Sequence, residues 1–494
     1  MTTTIAEGVG FRSKRGPILI ALMLSTGLVA IDSTIVATAV PSIVNDVGGF
    51  SSFPWLFSAY LLAQAVSVPV YAKLSDIVGR KPLILIGIGL FLLGSILCGI
   101  AWSMPALIAF RVLQGLGAGA VQPMAITIAG DIYTLKERAK VQGYLASVWA
   151  ISSVVGPTLG GVFSSLGIWR GIFLVNIPLC LLAGWMLLRS FHEDIERVKH
   201  KVDYVGAGLL TLSLSLIILG ALEGGQAWAW GSGISIGVFA AGAVLFAAFV
   251  LVERRAVEPV LPPWVVSRRL LATTALVSFG VGAIMLGLTS YVPTFLEGAL
   301  STSPILAGLA LAALTIGWPI SASQSGRIYL RIGFRRTAMI GISITVLGTA
   351  VLALTSSTPN IALTAVSCFI VGLGLGLVAT PSLIAAQSSV EWNERGVVTG
   401  TNLFARSIGS AIGVAIFGAV ANAIYAGTPG GNTDPQTVVA ASGAVFIAVL
   451  IGAALTVVAV LAMPATPKAK APAEAAPAGS ESATDRTANN ALEG

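Results

Sequence analysis

Asp32 sits about fifteen residues into an apolar run that starts near Pro17, within the stretch LVAIDSTIVATAVP. An ionisable side chain surrounded by hydrocarbon costs on the order of 2.5 to 3.5 kcal/mol. The chemistry such a carboxyl suits is reversible protonation, because burial raises its pKa and a neighbouring cation lowers it. Arg111 is a second deep charge. At about 1.5 Å of rise per residue, Asp32 lies roughly 22 Å from the start of its run, and Arg111 about 9 Å into a run that begins near Pro105 on the opposite side. In an apolar layer about 30 Å thick the two share nearly one depth. Two readings follow: Asp32 carries a proton whose affinity Arg111 tunes, or the two form a fixed ion pair holding their helices together. Arg406, about nine residues into a later apolar run, is also near mid-depth by helical rise. It either lines a cavity or pairs between helices.

A second group lies in a short loop: Asp76, Gly79, Arg80 and Lys81. Gly79 permits a tight turn, and Asp76 can accept from a helix N-terminus or from an arginine of an adjoining helix. Charges in a solvated loop are the plainer reading. Other chemistries find no support. GLGAGA at 115 to 120 has no preceding strand and lies inside an apolar run, so it does not read as a dinucleotide fingerprint; the phosphate loop GxxxxGK[ST] is absent. Gly115 and Gly119, like Gly372 and Gly376, are four apart, a spacing that lets helices approach closely. Cys98, Cys180 and Cys368 fall at unrelated spacings in apolar runs, which suggests neither disulfides nor a metal site. His192 and His200 lie in a charged linker, and Glu223 and Glu297 near the ends of apolar runs. No enzyme, cofactor or metal is expected.

These residues need apolar helices to hold them. Hydrophobic residues make up 55% of the 494 and charged ones only 10%, and the mean hydropathy is +0.90, values no soluble domain shows. Taking about 20 residues as one crossing, the sequence predicts an all-α membrane protein of fourteen spans near 17 to 40, 55 to 74, 82 to 102, 105 to 128, 141 to 164, 171 to 189, 204 to 222, 233 to 252, 271 to 296, 305 to 325, 337 to 355, 360 to 386, 397 to 421 and 440 to 463. With the N-terminus inside, the basic residues fall in cytoplasmic segments: Arg12, Lys14 and Arg15; Lys73, Arg80 and Lys81; Lys136, Arg138 and Lys140; the linkers with Arg197, Lys199 and Lys201 and with Arg254, Arg255, Arg268 and Arg269; Arg327, Arg331, Arg335 and Arg336; Arg395; and Lys468, Lys470 and Arg486. Outside there is only Arg170, so the positive-inside rule places both termini in the cytoplasm. Trp102, Trp169, Trp228 and Trp230 are expected as an aromatic belt at outer ends. The net charge of +7 is scattered among these loops and forms no nucleic-acid patch.

Internal repeats divide the chain. RVLQGLGAGAV at 111 to 121 returns as CFIVGLGLGLV at 368 to 378 and ERAKVQG at 137 to 143 as ERGVVTG at 394 to 400, both offset by 257; AKLSDIVGRK at 72 to 81 returns as GRIYLRIGFR at 326 to 335, offset by 254. In the second copy Leu330 replaces Asp76. The expected organisation is a cytoplasmic segment 1–16, a six-helix bundle 17–190, a linker 191–203, two extra transmembrane helices 204–252, a linker 253–270, a second six-helix bundle 271–463 and a disordered tail 464–494. Parallel six-span halves imply a carrier with its substrate site between them.

The chain resembles a major facilitator superfamily transporter, of the fourteen-span drug:proton antiporter subgroup similar to EmrB and QacA. IDSTIVATAVPSI at 31 to 43 resembles the first-span signature, and YAKLSDIVGRK at 71 to 81 the loop between spans two and three, with Ala72 where Gly is usual. AFRVLQGLGAGA at 109 to 120 resembles the fourth-span motif, VVGPTLGG at 154 to 161 the fifth-span antiporter motif, and WRGIFLVNIP at 169 to 178 the start of span six, with Gly171 replacing a Trp. The resemblance implies the superfamily fold with two additional central helices. It implies proton coupling through Asp32 and Arg111, and a cytoplasmic gate at Asp76, Gly79, Arg80 and Lys81. It also implies a cavity-sealing bend at Gly156, Pro157, Gly160 and Gly161, for which simple packing is the alternative. Candidate cavity residues are Trp55, Tyr60, Gln64, Gln114, Asn402, Phe404 and Arg406.

With no nucleotide site, an ion gradient or a separate subunit must supply the energy; one proton charge crossing 100 mV supplies about 2.3 kcal/mol. The expected function is multidrug efflux from the plasma membrane, exchanging external protons for small amphipathic molecules, by a monomer whose partners are substrate, protons and lipid. Export of a dedicated metabolite or lipid is the alternative.

Overall fold

The computed structural model describes residues 9–48, 52, 55–193, 203–224, 228–229, 231–256, 259, 261–426 and 434–465. Trp230, His200, the linker cations Arg197, Lys199 and Lys201, and the tail with Lys468, Lys470 and Arg486 lie outside them.

Apolar segments that must satisfy every backbone group without water become helices. The order is α1 (Gly16–Val47), α2 (Trp55–Val78), α3 (Arg80–Gly99), α4 (Met104–Ile132), α5 (Leu135–Ser165), α6 (Gly171–Leu174), α7 (Asn176–Ser190), α8 (Tyr204–Glu223), α9 (Gly233–Glu253), α10 (Pro263–Ser267), α11 (Arg269–Leu300), α12 (Pro304–Ile332), α13 (Phe334–Leu354), α14 (Ile361–Ser388), α15 (Arg395–Ala426) and α16 (Pro435–Ala462). Their starts are set by polar side chains that accept from the first free N–H groups. Asn360 accepts from Leu363 N at 3.0 Å, Asp434 from Thr437 N at 2.9 Å and Asp203 from Gly206 N at 2.8 Å.

Thirteen helices among the described residues are long and apolar enough to cross a membrane. The sequence predicts fourteen. The remaining expected span, 204 to 222, corresponds to α8, a 20-residue helix whose stretch Val205–Gly220 is among the shorter apolar helices. The segment expected as one span from 171 to 189 forms one crossing, Gly171–Ser190, with a one-residue turn at Val175 between α6 and α7; Pro178 has no N–H to offer the carbonyl four residues earlier, on Leu174. Asn176, the first residue of α7, is buried. The linker expected at 253 to 270 contains the short helix α10, whose Val265 is buried.

The halves repeat one packing scheme. In the first, α1 lies against α5 and α7, and α4 against α2 and α3; in the second, α11 lies against α15 and α16, and α14 against α12 and α13. The halves meet along two seams, α2 with α15 and α5 with α12. α8 packs on α2 and α15, covering the first seam with Leu210, Leu214 and Ile218 against Ala65, Val66, Leu403 and Phe404. Gly79 and Gly333, related by the 254-residue offset, turn α2 into α3 and α12 into α13 at φ of 101° and 88°. Those values are ones only glycine adopts without strain.

Two expectations change. Trp169 is only 3% exposed and its indole donates to Asp46 at 3.1 Å, so it is a buried bonding partner and not part of a lipid-facing belt. Glu223, which stands near the end of its apolar run, is buried rather than exposed at a rim.

Candidate functional site

Two polar constellations interrupt the apolar interior. The deeper one is centred on Asp32, which is fully buried on α1. Its Oδ2 accepts from Arg111 Nη1 at 2.5 Å, and its Oδ1 from Gln114 Nε2 at 2.7 Å and Asn176 Nδ2 at 3.2 Å. Arg111 and Gln114 are three apart on α4 and therefore share a face. Gln114 also accepts from Arg111 at 2.7 Å and donates to Ser95 at 2.8 Å. Arg111 Nε donates to the Leu56 carbonyl at 3.1 Å, and its guanidinium lies 4.0 Å from the Tyr60 ring centroid. A charge pair taken out of water is tolerable only when its remaining valences are met. Here three donors on the carboxylate and a carbonyl on the guanidinium meet them.

Gly115 of GLGAGA and Gly94 of α3 allow this convergence. A Cβ at Gly115 would lie 2.5 Å from the Tyr60 carbonyl, and one at Gly94 2.7 Å from the Gln114 backbone. In the VVGPTLGG segment, a Cβ at Gly156 would strike Thr34, and one at Gly160 would strike Ile35 and Thr38, whereas Gly161 faces open space. Thr34 and Thr38 donate to the carbonyls of Ser152 and Pro157 at 3.0 and 3.2 Å. α5 thus packs backbone to backbone on the turns of α1 that follow Asp32.

The second constellation lies at the end of the molecule where α1 begins and α16 finishes. Asp76 Oδ1 accepts from Arg80 Nη2 at 2.8 Å and Gly396 N at 3.0 Å, and Oδ2 from Val397 N at 2.8 Å. A carboxylate of one half thereby caps the positive end of a helix in the other. Arg80, fully buried, donates to Asp131 at 3.1 Å and to the Trp392 carbonyl at 2.6 Å, with its guanidinium 3.7 Å from the Trp392 ring centroid. Arg395 answers from the second half with a 3.0 Å bond to Asp131. Glu193 accepts from the Arg80 and Lys81 backbone N–H groups at 3.0 and 2.9 Å, holding the start of α3, and Lys81 Nζ donates to the Leu188 carbonyl at 3.0 Å. On the other seam, Leu330 and Phe334 stand where Asp76 and Arg80 stand in the first copy. They join an apolar cluster with Ala139, Tyr329 and Ile384, and Tyr329 donates to the Leu135 carbonyl at 2.5 Å.

The candidate cavity residues do not form one group. Tyr60 and Gln114 are buried in the Asp32 network. Asn402 is 4% exposed and accepts from Ser278 at 2.9 Å; Phe404 is buried against α2 and α8. Trp55, Gln64 and Arg406 are half-buried, and Gln64 donates to Gln122 at 3.1 Å. Reading the sequence did not single out Asp131, Trp392, Glu193 or the inward role of Asn176. Arg395 was detectable as part of the repeated ERG segment, and Asn176 as part of WRGIFLVNIP. A tryptophan and acids near helix ends carry no comparable signal.

The Major Facilitator Superfamily profile matches residues 22–414. The chain is 36% identical over 410 residues to multidrug resistance protein 3 of Bacillus subtilis (strain 168), covering 83% of this chain and 80% of that one. It is 34% identical over 416 residues to the multidrug transporter protein MdtP of the same organism, covering 84% and 76%. The crystal structure of the human organic anion transporter MFSD10 superposes with a TM-score of 0.64 over 90% of this chain and 99% of that one at 14% identity, a likeness of fold. Paired helical halves, thirteen membrane-length helices and a match across most of the chain lead to one conclusion: the protein belongs to the Major Facilitator Superfamily and is a transporter, not an enzyme.

Proposed function

We propose that the chain is a proton-coupled multidrug exporter of the fourteen-span subgroup, with the 20-residue α8 as the fourteenth crossing. The observation that carries this reading is the buried Asp32 carboxylate held by Arg111, Gln114 and Asn176. The names of its relatives support the substrate class. On this reading the basic end is cytoplasmic, both termini are inside the plasma membrane, and the Asp76 latch closes that end while the carrier faces outward. An external proton reaching Asp32 removes its charge, weakens its hold on Arg111 and lets the seams part at the inner end. Release of the proton to the cytoplasm restores the pair. Gly156 and Gly160 tie α5 to the same helix, so the state of Asp32 bears on the α5–α12 seam.

The test uses purified protein in proteoliposomes with an imposed pH gradient, scored with neutral and cationic dyes. Accumulation driven by the gradient in wild type and lost in Asp32→Asn supports the reading. Gradient-driven accumulation that persists in Asp32→Asn rules out Asp32 as carrier. Acceptance of one native lipid or metabolite with rejection of every dye replaces multidrug export with dedicated export.

A further inference from the structure

Arg406 is a charge without a countercharge. It stands eleven residues after Arg395, about 16 Å along α15. It is half-buried and makes no hydrogen bond or ion pair among the described residues. Its helix shows which way it faces. Asn402, Gly409 and Gly413 lie against Ser278, Phe279 and Ala283 of α11, while Gly400 and Leu403 lie against α2. At about 100° per residue, Arg406 falls between these two contact faces, on the side turned to the interior between the halves. The exposed residues Ile416, Ala419 and Ala423 are on the other side.

No acid among the described residues pairs with it, and those of α8 and α9, Asp203, Glu223 and Glu253, stand at the ends of their helices. In the second half the carboxylates are Glu297, Glu391, Glu394 and Asp434, all at or near helix ends. In the first half the one acid deep in a span is Asp32, whose oxygens already hold three donors. A cationic substrate would find no free carboxylate at this depth; an anionic one would find an unpaired guanidinium in a medium of low dielectric, where charge-assisted hydrogen bonds are strong. Gln122, about 15 Å from the basic end of α4 by helical rise, is half-buried beside Gln64 and keeps its own amide N–H groups for a ligand.

We propose that Arg406 docks the acidic head of substrate, so that the preferred cargo is an amphipathic molecule carrying a carboxylate or comparable monoanionic group. This rests on the exporter reading. It also fixes an electrical sign: a monoanion leaving while one proton enters moves two charges in the same sense, so transport becomes sensitive to membrane potential.

Three matched probes test it: 1-pyrenebutyrate, its neutral primary amide, and the corresponding pyrenebutyl trimethylammonium. Binding is measured to the full chain in phosphatidylcholine nanodiscs, and transport in phosphatidylcholine proteoliposomes with imposed pH and potassium-diffusion potentials. Wild type should bind the butyrate about tenfold or more tightly than the amide, the size of one charged hydrogen bond. Arg406→Gln should erase that preference by lowering the butyrate affinity to the level of the amide, and Arg406→Lys should keep part of it. An inside-negative potential that drives the butyrate out of wild-type liposomes faster, and not the trimethylammonium, adds support. The inference is overturned if wild type does not bind the butyrate, if it prefers the trimethylammonium, if Arg406→Gln keeps the butyrate preference, or if that variant weakens all three probes alike. Gradient-driven transport of the amide or trimethylammonium without an anion preference removes this inference alone. Arg406-dependent binding of the butyrate with no gradient-driven transport of any probe leaves the anion site standing and removes the exporter reading.

Discussion

Asp76 of α2 accepts the backbone N–H of Val397 at 2.8 Å, so a carboxylate from one half completes the first turn of a helix in the other. Loss of that acceptor should loosen one end of the seam. Asp76→Ala removes the ligand of both Gly396 and Val397 and leaves Arg80 with one carboxylate fewer; charged hydrogen bonds of this kind are each worth about 1.5–3 kcal/mol. Spin labels on the exposed positions Lys140 of α5 and Arg331 of α12, at the same end, should report longer and broader distances in the variant. An unchanged distribution would show that the contact does not hold this end shut.

The buried pair allows a cycle of substitutions. Arg111→Ala strands the Asp32 carboxylate and should lower stability by about 3–5 kcal/mol, the usual result of breaking a buried pair from one side. Asp32→Asn combined with Arg111→Gln should recover most of that loss, because neutral amides can share the same partners, yet should not recover pH-driven transport. Thermal unfolding in detergent reads the first outcome and proteoliposome accumulation the second. A double variant that transports uphill would separate coupling from this pair.

The fifth-span motif contains its own control. At Gly160 a methyl group would meet Ile35 and Thr38 of α1, whereas at Gly161 it would meet nothing within 4 Å. Gly160→Ala should cost about 1–3 kcal/mol by overpacking and reduce transport; Gly161→Ala should leave both close to wild type. Equal sensitivity at the two positions would mean that the motif acts through something other than contact with α1.

Gly79 and Gly333 should respond alike. Each holds a φ near +90°, with values of 101° and 88°, and an added Cβ is strained there. Alanine at either position should lower the unfolding free energy by about 1–3 kcal/mol, measured by thermal melting. Tolerance at one position alone would break the equivalence of the two turns.

Much of this was legible in the sequence for a simple reason: a charge in an apolar run is conspicuous, and a repeated segment is measurable. Helical rise puts Asp32 and Arg111 at one depth, and the 254-residue offset aligns Gly79 with Gly333, whose backbone angles agree. Gln114 was legible as a polar residue of the fourth span but not as a bond to Asp32, because a neutral amide carries no sign of what it faces. Trp392 was invisible for a different cause. It lies outside the long apolar runs, and its stacking on Arg80 exists only because the two halves come together. Trp169 misled because indoles at outer ends ordinarily face lipid; here the nearby Asp46 gives its N–H a better partner.

α8 also makes the two flanks of the molecule unlike. It clads the α2–α15 contact, while at the α5–α12 contact Ile151, Val154, Leu309 and Ile316 remain exposed. Acyl chains therefore press on one hinge line and are screened from its twin. Bilayer thickness and chain order should act on the turnover of this carrier from a single side, as a wedge acts on a door hung at one jamb.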